Sequence, residues 1–245
     1  MALEDKLIQI AENEQKVYEA GKDAFYDFFW DNFQQNGTRG DYSSSFGACW
    51  SKETFKPKYT IAPTNAYMMF MYFAKAEAAP MDFVEMGIDL DLSKCTVMTQ
   101  LFSDANISRV GVVDCRKTRD GGRYAFASSK KLVTIEKLIF LDTPFAATNT
   151  FQYTFQSCEA LVNINAIEGK ICNNGLSLQW STKLSKQSII NIINALSSTT
   201  TGLTITFSKT AINNAFGINI DNESTYTTEW NTLRGSKSNW SFSFA

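Results

Sequence analysis

Two pairs of carboxylates are, by residue type and spacing, the groups of this chain best suited to catalysis. Asp82 and Glu85 would share one face of a helix, and Asp89 and Asp91 would share one face of a strand. Paired carboxylates hydrolyse glycosidic bonds when they flank a cleft at about 5 to 9.5 Å from each other. No pattern around either pair predicts a cleft, so we expect these four acids to be solvated surface groups.

Histidine is absent from the 245 residues. This excludes hydrolases in which a histidine activates a serine or cysteine nucleophile. The five cysteines are widely spaced and include no Cys-x-x-Cys pair, so we expect buried thiols rather than a zinc site or a disulfide framework. The sequence therefore predicts a protein that is not an enzyme, with no catalytic residues, no metal ligands and no cofactor.

The charge pattern narrows the range of partners. The net charge is −2, and no run of basic residues marks a nucleic-acid or membrane surface. The N-terminus carries acids where a signal peptide needs bases, and no apolar run is long enough for a membrane span. We expect a protein made in a bacterial cytoplasm without a signal peptide and not inserted into a membrane.

The strongest pattern is a pair of near-copies offset by 29 residues. The first copy contains Phe126, Ser129, Leu132 and Ile135, and the second contains Phe155, Cys158, Leu161 and Ile164. A shorter copy starts at Phe102, which gives three units at offsets of 24 and 29 residues. Apolar residues at steps of three fit a chain that turns at each corner and points one side chain per edge inward. Stacking such units buries apolar faces that no unit can bury alone.

The patterns divide the chain into four parts. We predict an N-terminal helix over 1–36, an N-terminal cap or start of the solenoid over 37–97, a repeat array over 98–217 and a C-terminal cap over 218–245. Apolar residues over 3–24 form a weak heptad pattern, which fits either packing on the same domain or self-association in an oligomer.

The C-terminal third shows ordinary helix and strand signals. Ser185 and Ser208 are predicted helix N-caps, and 204–207 and 240–244 are predicted strands. Three aromatic residues, Tyr226, Trp230 and Trp240, could form a sugar-stacking surface or a buried cap on the last repeat. The pattern favours the buried cap.

With these residues in hand, the chain resembles the BspA-like class of leucine-rich repeats, whose unit has a phenylalanine, a small or cysteine corner, a leucine and an isoleucine. The N-terminal helix, the phrase 55–59 and the segment 184–197 look like proteins encoded in phages and prophages of gut Firmicutes. The resemblance implies an α/β fold, namely a short right-handed leucine-rich-repeat solenoid with an N-terminal amphipathic helix and a C-terminal cap.

The same resemblance implies a tail or baseplate protein that contacts a bacterial surface glycan or protein and other virion proteins. Recognition is then expected where the copies differ, at Lys130, Lys131, Thr134, Glu136, Asn163 and Asn165. Two alternatives stay open: a purely structural subunit that self-assembles through residues 3–24, and a glycan hydrolase that uses the paired carboxylates.

Overall fold

The computed structural model describes residues 12–18, 20–21, 41–47, 50–57, 59–119, 122–145 and 150–245. The strands are β1 (Met81–Asp82), β2 (Ile107–Asp114), β3 (Thr134–Ile139), β4 (Asn163–Glu168), β5 (Ser177–Leu178), β6 (Leu203–Phe207) and β7 (Trp240–Phe244). Residues 12–18 and 20–21 are helical, and the later helices are α1 (Lys186–Ala195), α2 (Lys209–Phe216) and α3 (Thr228–Gly235), with a 3-10 helix at Glu223–Thr225 between α2 and α3.

All strand pairs in the two sheets are parallel. The first sheet has the order β1-β2-β3-β4, and the second has the order β5-β6-β7. Because parallel neighbours that follow each other in sequence require a crossover after every strand, the chain winds as a parallel β-solenoid-like coil of about four turns. The coarse prediction of a stacked α/β repeat fold is confirmed.

The apolar steps of three lie on strands, whereas the sequence suggested turning segments. The paired register passes over one residue in each long strand: Gly111 in β2, Glu136 in β3 and Asn165 in β4. Side chains on both sides of this interruption point into the core, as Ile135 and Leu138 do in β3. The interruption replaces the usual period of two with a period of three.

A column of stacked phenylalanine rings runs through the core. We call Phe46, Phe70, Phe102, Phe126 and Phe155 the ring stack. Successive centroids are 5.2, 5.0, 5.4 and 5.5 Å apart, with interplanar angles of 23°, 6°, 13° and 6°. Three units were predicted from the sequence, and the ring stack adds two earlier ones, at Phe46 and Phe70.

Each phenylalanine from Phe70 onwards lies in a turn between two residues of positive φ. These residues are four apart in every unit: Met68 and Tyr72, Gln100 and Asp104, Tyr124 and Ser128, Tyr153 and Ser157. The backbone N–H groups of Phe70, Phe102 and Phe126 donate to carbonyls of the following unit at 2.8, 2.6 and 3.0 Å. The turns are therefore linked from unit to unit as the strands are.

Helix α1 covers the open edge of β4. Ser188 Oγ accepts a hydrogen bond from the N–H of Ile164 at 2.8 Å and donates to the carbonyl of Val162 at 3.1 Å. Asn191 Nδ2 donates to the carbonyls of Ile164 and Asn165 at 3.0 and 2.9 Å. Two helix side chains thus take the hydrogen-bonding role of a next strand, and they leave the edge protected.

The predicted C-terminal elements are confirmed. Ser185 and Ser208 cap α1 and α2, and strands β6 and β7 coincide with the predicted ones. Trp230 and Trp240 are buried, and the hydroxyl of Tyr226 donates to the carbonyl of Ile220 at 2.7 Å. The buried-cap interpretation of these aromatic residues is correct.

The N-terminal prediction falls largely outside the described residues. Within the predicted 1–36 helix, residues 12–18 and 20–21 are helical and exposed. Four of the five cysteines are buried free thiols, namely Cys95, Cys115, Cys158 and Cys172, as predicted. Cys49 lies outside the described residues.

We predict that Phe126→Ala lowers the free energy of unfolding by about 3–5 kcal/mol, because it leaves a cavity between two stacked rings. Phe126→Leu should cost about 1.5 kcal/mol or less, since leucine fills most of the space. A leucine already occupies the equivalent position one unit after Phe155, where Leu178 is buried. Urea unfolding followed by circular dichroism measures both values. Equal losses for the two variants would contradict a specific role for ring volume.

Candidate binding surfaces

Asp82 ends strand β1 and Glu85 lies in the turn that follows, so the first carboxylate pair does not share a helix, and Asp89 and Asp91 lie on either side of Leu90. Asp82 Oδ1 accepts from the N–H groups of Val84 and Glu85, both at 2.9 Å. Asp91 Oδ1 accepts from the N–H of Ser93 at 2.9 Å, and hydrogen bonds from the Ser93 side chain and backbone lower the pKa of Asp91. These contacts give the two aspartates a structural role at turn starts.

The described residues contain neither a metal-binding cluster nor a membrane-spanning helix. Within these ranges, no group of three or more histidine, cysteine, aspartate or glutamate side chains could hold a metal ion. No helix in the same part of the chain is long and apolar enough to cross a membrane.

Four of the six predicted binding residues lie on the outer face of the first sheet. Thr134 and Asn163 are register partners, and Asn163 Nδ2 lies 3.4 Å from Thr134 Oγ1. Glu136 accepts from Asn165 Nδ2 at 2.8 Å and from Arg109 Nε at 2.5 Å. We call Arg109, Glu136 and Asn165 the polar row, since they run across β2, β3 and β4.

The polar row satisfies its own hydrogen-bonding groups. The hydrogen bond from Asn165 is the largest cause that lowers the pKa of Glu136, and Arg109 adds a second hydrogen bond and its charge. Partial burial acts in the opposite direction. The Glu136 carboxylate therefore has both of its oxygens hydrogen-bonded to protein groups.

Other charges near the C-terminal ends of these strands are paired as well. The guanidinium of Arg116 forms a two-pronged ion pair with Asp114, with Nη2 to Oδ2 at 2.6 Å. Lys137 pairs with Glu168 across β3 and β4, and this ammonium group lowers the pKa of the Glu168 carboxyl. The outer face of the first sheet is therefore electrostatically self-satisfied.

The other two predicted residues, Lys130 and Lys131, line a separate groove of about 720 Å³. We call it the corner groove because it crosses the corners of three successive units. In each unit the corner comes just before the strand or helix. Its lining comprises Lys130, Lys131, Glu159, Ala160, Gln179, Trp180, Thr182, Lys183, Ser208, Thr210 and Ala245. None of Thr134, Glu136, Asn163 and Asn165 reaches it, so the predicted set divides between two surfaces.

Hydrogen bonds between units fix the floor of the corner groove. Cys158 Sγ donates to the carbonyl of Phe126 at 3.0 Å, and Ser181 Oγ donates to the carbonyl of Cys158 at 3.4 Å. The buried residues next to the exposed corner side chains are thus linked from one unit to the next. Burial raises the pKa of the Cys158 thiol to about 12, so the thiol remains protonated and acts as a donor.

The charges in the corner groove differ from those on the sheet face. Lys130, Lys131, Lys183 and Glu159 are all exposed. Among the described residues, no carboxylate lies within 4 Å of any of the three ammonium groups. Trp180 lies beside them with 44% of its surface exposed.

Sequence reasoning missed Trp180 and Lys183. It interpreted Trp180 as the end of a strand, whereas β5 ends at Leu178 and Trp180 lies in the turn that follows. The sequence does contain a signal for one more repeat unit, because Ser181 and Leu184 follow Cys158 and Leu161 at an offset of 23 residues. A fourth corner at that offset places Lys183 in register with Ala160.

A smaller polar groove of about 350 Å³ lies where β4 meets α1. Asn165, Lys170, Asn191 and Asn194 are among its lining residues. The amide nitrogens of Asn165 and Asn191 already donate to protein oxygens, and Lys170 Nζ contacts the carbonyl of Asn194 at 3.5 Å. This groove offers fewer unpaired groups than the corner groove.

Comparison with protein-family models, characterised proteins and solved structures finds no match to this chain.

We predict that Glu136→Gln makes the stability of the protein less dependent on pH. The pKa of Glu136 is lowered on folding, so its contribution is fully present above the unfolded value of 4.5 and is lost as pH falls through the lowered value. The glutamine variant should therefore lose less free energy of unfolding than the parent protein on acidification from above pH 4.5.

Urea unfolding at a series of pH values measures this difference. Thr134→Ala is the control, because it lies on the same face and removes no titrating group. If the glutamine and parent curves ran parallel at acid pH, folding would not lower the pKa of Glu136, and the prediction would be wrong.

Proposed function

We propose that this chain is a non-enzymatic binding protein of the BspA-like leucine-rich-repeat kind, with right-handed turns, carried on the tail or baseplate of a phage or prophage of gut Firmicutes. In this proposal it is an adhesin that recognises a glycan or protein on the bacterial host surface. It contacts the other virion proteins and needs no cofactor. The corner groove is the surface assigned to recognition.

The observation that carries the proposal is the contrast between the two outer surfaces. On the sheet face, the Glu136 carboxylate, the Arg109 guanidinium and the Asn165 amide hydrogen-bond to one another across neighbouring units. In the corner groove, exposed lysines lie beside an exposed tryptophan without such partners in the described residues. Exposed aromatic and charged groups that the fold itself does not use are typical of a recognition surface.

The scaffold under the groove supports the same conclusion. Hydrogen bonds at the corners connect the three units that supply Lys130, Glu159 and Lys183 to the groove, and the ring stack lies in the core of the same coil. A surface whose backbone is already ordered loses little conformational entropy when it binds. Such a scaffold suits an attachment protein whose ligand is a polymer present in many copies on the cell surface.

The test is binding of fluorescently labelled protein to host cells and to isolated cell walls. We expect saturable binding that falls by about tenfold when Lys130, Lys131 and Lys183 are all replaced by alanine, since three weak charge contacts add to roughly that factor. Lys117→Ala, an exposed lysine outside the groove, is the matched control and should bind like the parent. A folded parent protein that binds no cell wall of the host would overturn the adhesin proposal.

A second candidate function is self-assembly through residues 3–24. It is favoured by the helical residues 12–18 and 20–21, all of which are exposed, with Val17 at 74% and Tyr18 at 65% exposure. An exposed apolar pair on a helix is typical of a surface covered in an oligomer. The two functions are compatible, because the corner groove is built by other parts of the chain.

We predict that deletion of residues 3–24 converts an oligomer into a monomer. Light scattering coupled to size-exclusion chromatography measures the mass of both proteins. The deletion should leave the urea unfolding midpoint of the solenoid nearly unchanged, since the described helical residues bury little against it. An unchanged mass after deletion excludes this segment as the assembly element.

A further inference from the structure

We infer that the ligand of the corner groove is an anionic glycan, whose sugar ring stacks on Trp180 and whose carboxylate or phosphate groups lie against the lysines. This inference names the ligand class and therefore rests on the proposed binding function. Four features of the groove support it: the sign of its charge, the placement of that charge, its exposed aromatic side chain and its neutral polar groups.

The first feature is the sign of the charge. Three lysines and one glutamate line the groove, in a chain whose formal net charge is −2. The positive potential is therefore local and opposite to that of the whole protein. A net negative charge is unfavourable for nucleic-acid binding, whereas a local cationic groove still attracts an anionic group of a short ligand.

The second feature is the placement of the charges along the coil. Lys130 and Lys131 come from one unit, Glu159 from the next and Lys183 from the one after. Hydrogen-bonded units are about 4.8 Å apart, so the two cationic ends are separated by roughly 10 Å with a carboxylate between them. Inorganic polyphosphate has no neutral group between its charges and would meet repulsion at Glu159. An acidic glycan can place the neutral ring atoms and hydroxyls of a sugar against Glu159 and its anionic groups against the lysines.

The third and fourth features are the aromatic ring and the polar groups beside it. Trp180 presents a large apolar surface in an otherwise polar groove. Its amphipathic ring can cover the apolar C–H face of a sugar, while Gln179, Thr182 and the Glu159 carboxylate offer hydrogen-bonding groups to hydroxyls. An inorganic polyanion would use the lysines but would gain nothing from Trp180.

The experiment compares four probes by isothermal titration or glycan-coated biosensors: oligogalacturonate, poly(glycerol phosphate) bearing sugars, neutral dextran and inorganic polyphosphate. We expect one of the two acidic glycans to bind, with an affinity that falls as the salt concentration rises. Dextran should not bind measurably. Oligogalacturonate and the phosphate polymer distinguish carboxylate from phosphate as the preferred anionic group.

Two variants separate the contributions. Trp180→Ala should weaken glycan binding by about tenfold and leave any polyphosphate binding unchanged, and Tyr153→Ala, equally exposed at 44%, is its control outside the groove. Glu159→Gln should strengthen acidic-glycan binding about twofold, because it removes the only carboxylate side chain among the described residues that line the groove. Damage to the fold cannot produce a gain in affinity.

The outcomes distinguish this inference from the proposed function. If the protein binds host cell walls but neither acidic glycan, and if salt and Glu159→Gln leave that binding unchanged, the anionic-glycan inference is wrong and the adhesin proposal stands. If polyphosphate binds as well as the acidic glycans and Trp180→Ala has no effect, the groove is a general anion site and the inference is also wrong. If neither cell walls nor any probe binds the folded protein, the function itself fails.

Discussion

The stacking of one phenylalanine ring on the next is the constraint on which the rest of the structure depends. The ring stack has centroid spacings of 5.0–5.5 Å, close to the distance of about 4.8 Å between hydrogen-bonded neighbours in a sheet. Successive rings can stack at this spacing only if every unit brings its phenylalanine directly above that of the unit before. The turns that hold the rings therefore hydrogen-bond from unit to unit, and the strands are drawn into parallel register.

This register explains why the sheet face has few unsatisfied charges. In a stack of near-copies, a side chain at one position always meets its counterparts one unit above and below. Where side chains of adjacent units complement each other, as Glu136 does with Asn165 at the equivalent position and with Arg109 diagonally across β2 and β3, they hydrogen-bond to one another. Positions at which the copies differ therefore have two explanations. Their side chains can bind a ligand, or they can pair with complementary side chains of the adjacent unit.

The sequence predicted the parts of the fold that depend on local patterns. The N-caps Ser185 and Ser208, the two C-terminal strands and the core positions of the copies at Phe126 and Phe155 follow from side-chain chemistry at fixed spacing. The earlier rings at Phe46 and Phe70 were missed, because the unit offsets there are 24 and 32 residues and no constant period connects them. Crossovers of variable length hide a repeat from a search for fixed period.

The candidate site was only half predictable for a related reason. Lys130 and Lys131 were named from a difference between two copies, but their neighbours Trp180 and Lys183 belong to a unit whose phenylalanine position is Leu178. Once the phenylalanine is lost, the similarity to earlier copies disappears, although the corner at Ser181 still bonds to Cys158. Three-dimensional proximity, and not sequence similarity, assembles the corner groove.

The position of the groove along the coil follows from the same transition. Up to β4 the chain repeats strand upon strand, and after β4 helix α1 covers the sheet edge while the second sheet begins at β5. In units that repeat regularly, polar side chains of one unit hydrogen-bond to those of the next. At the transition, the corner side chains of the last regular units face a unit of different design and find no complementary partner. Exposed cations lie beside an exposed tryptophan there because adjacent units no longer place complementary side chains next to each other, as they do on the sheet face.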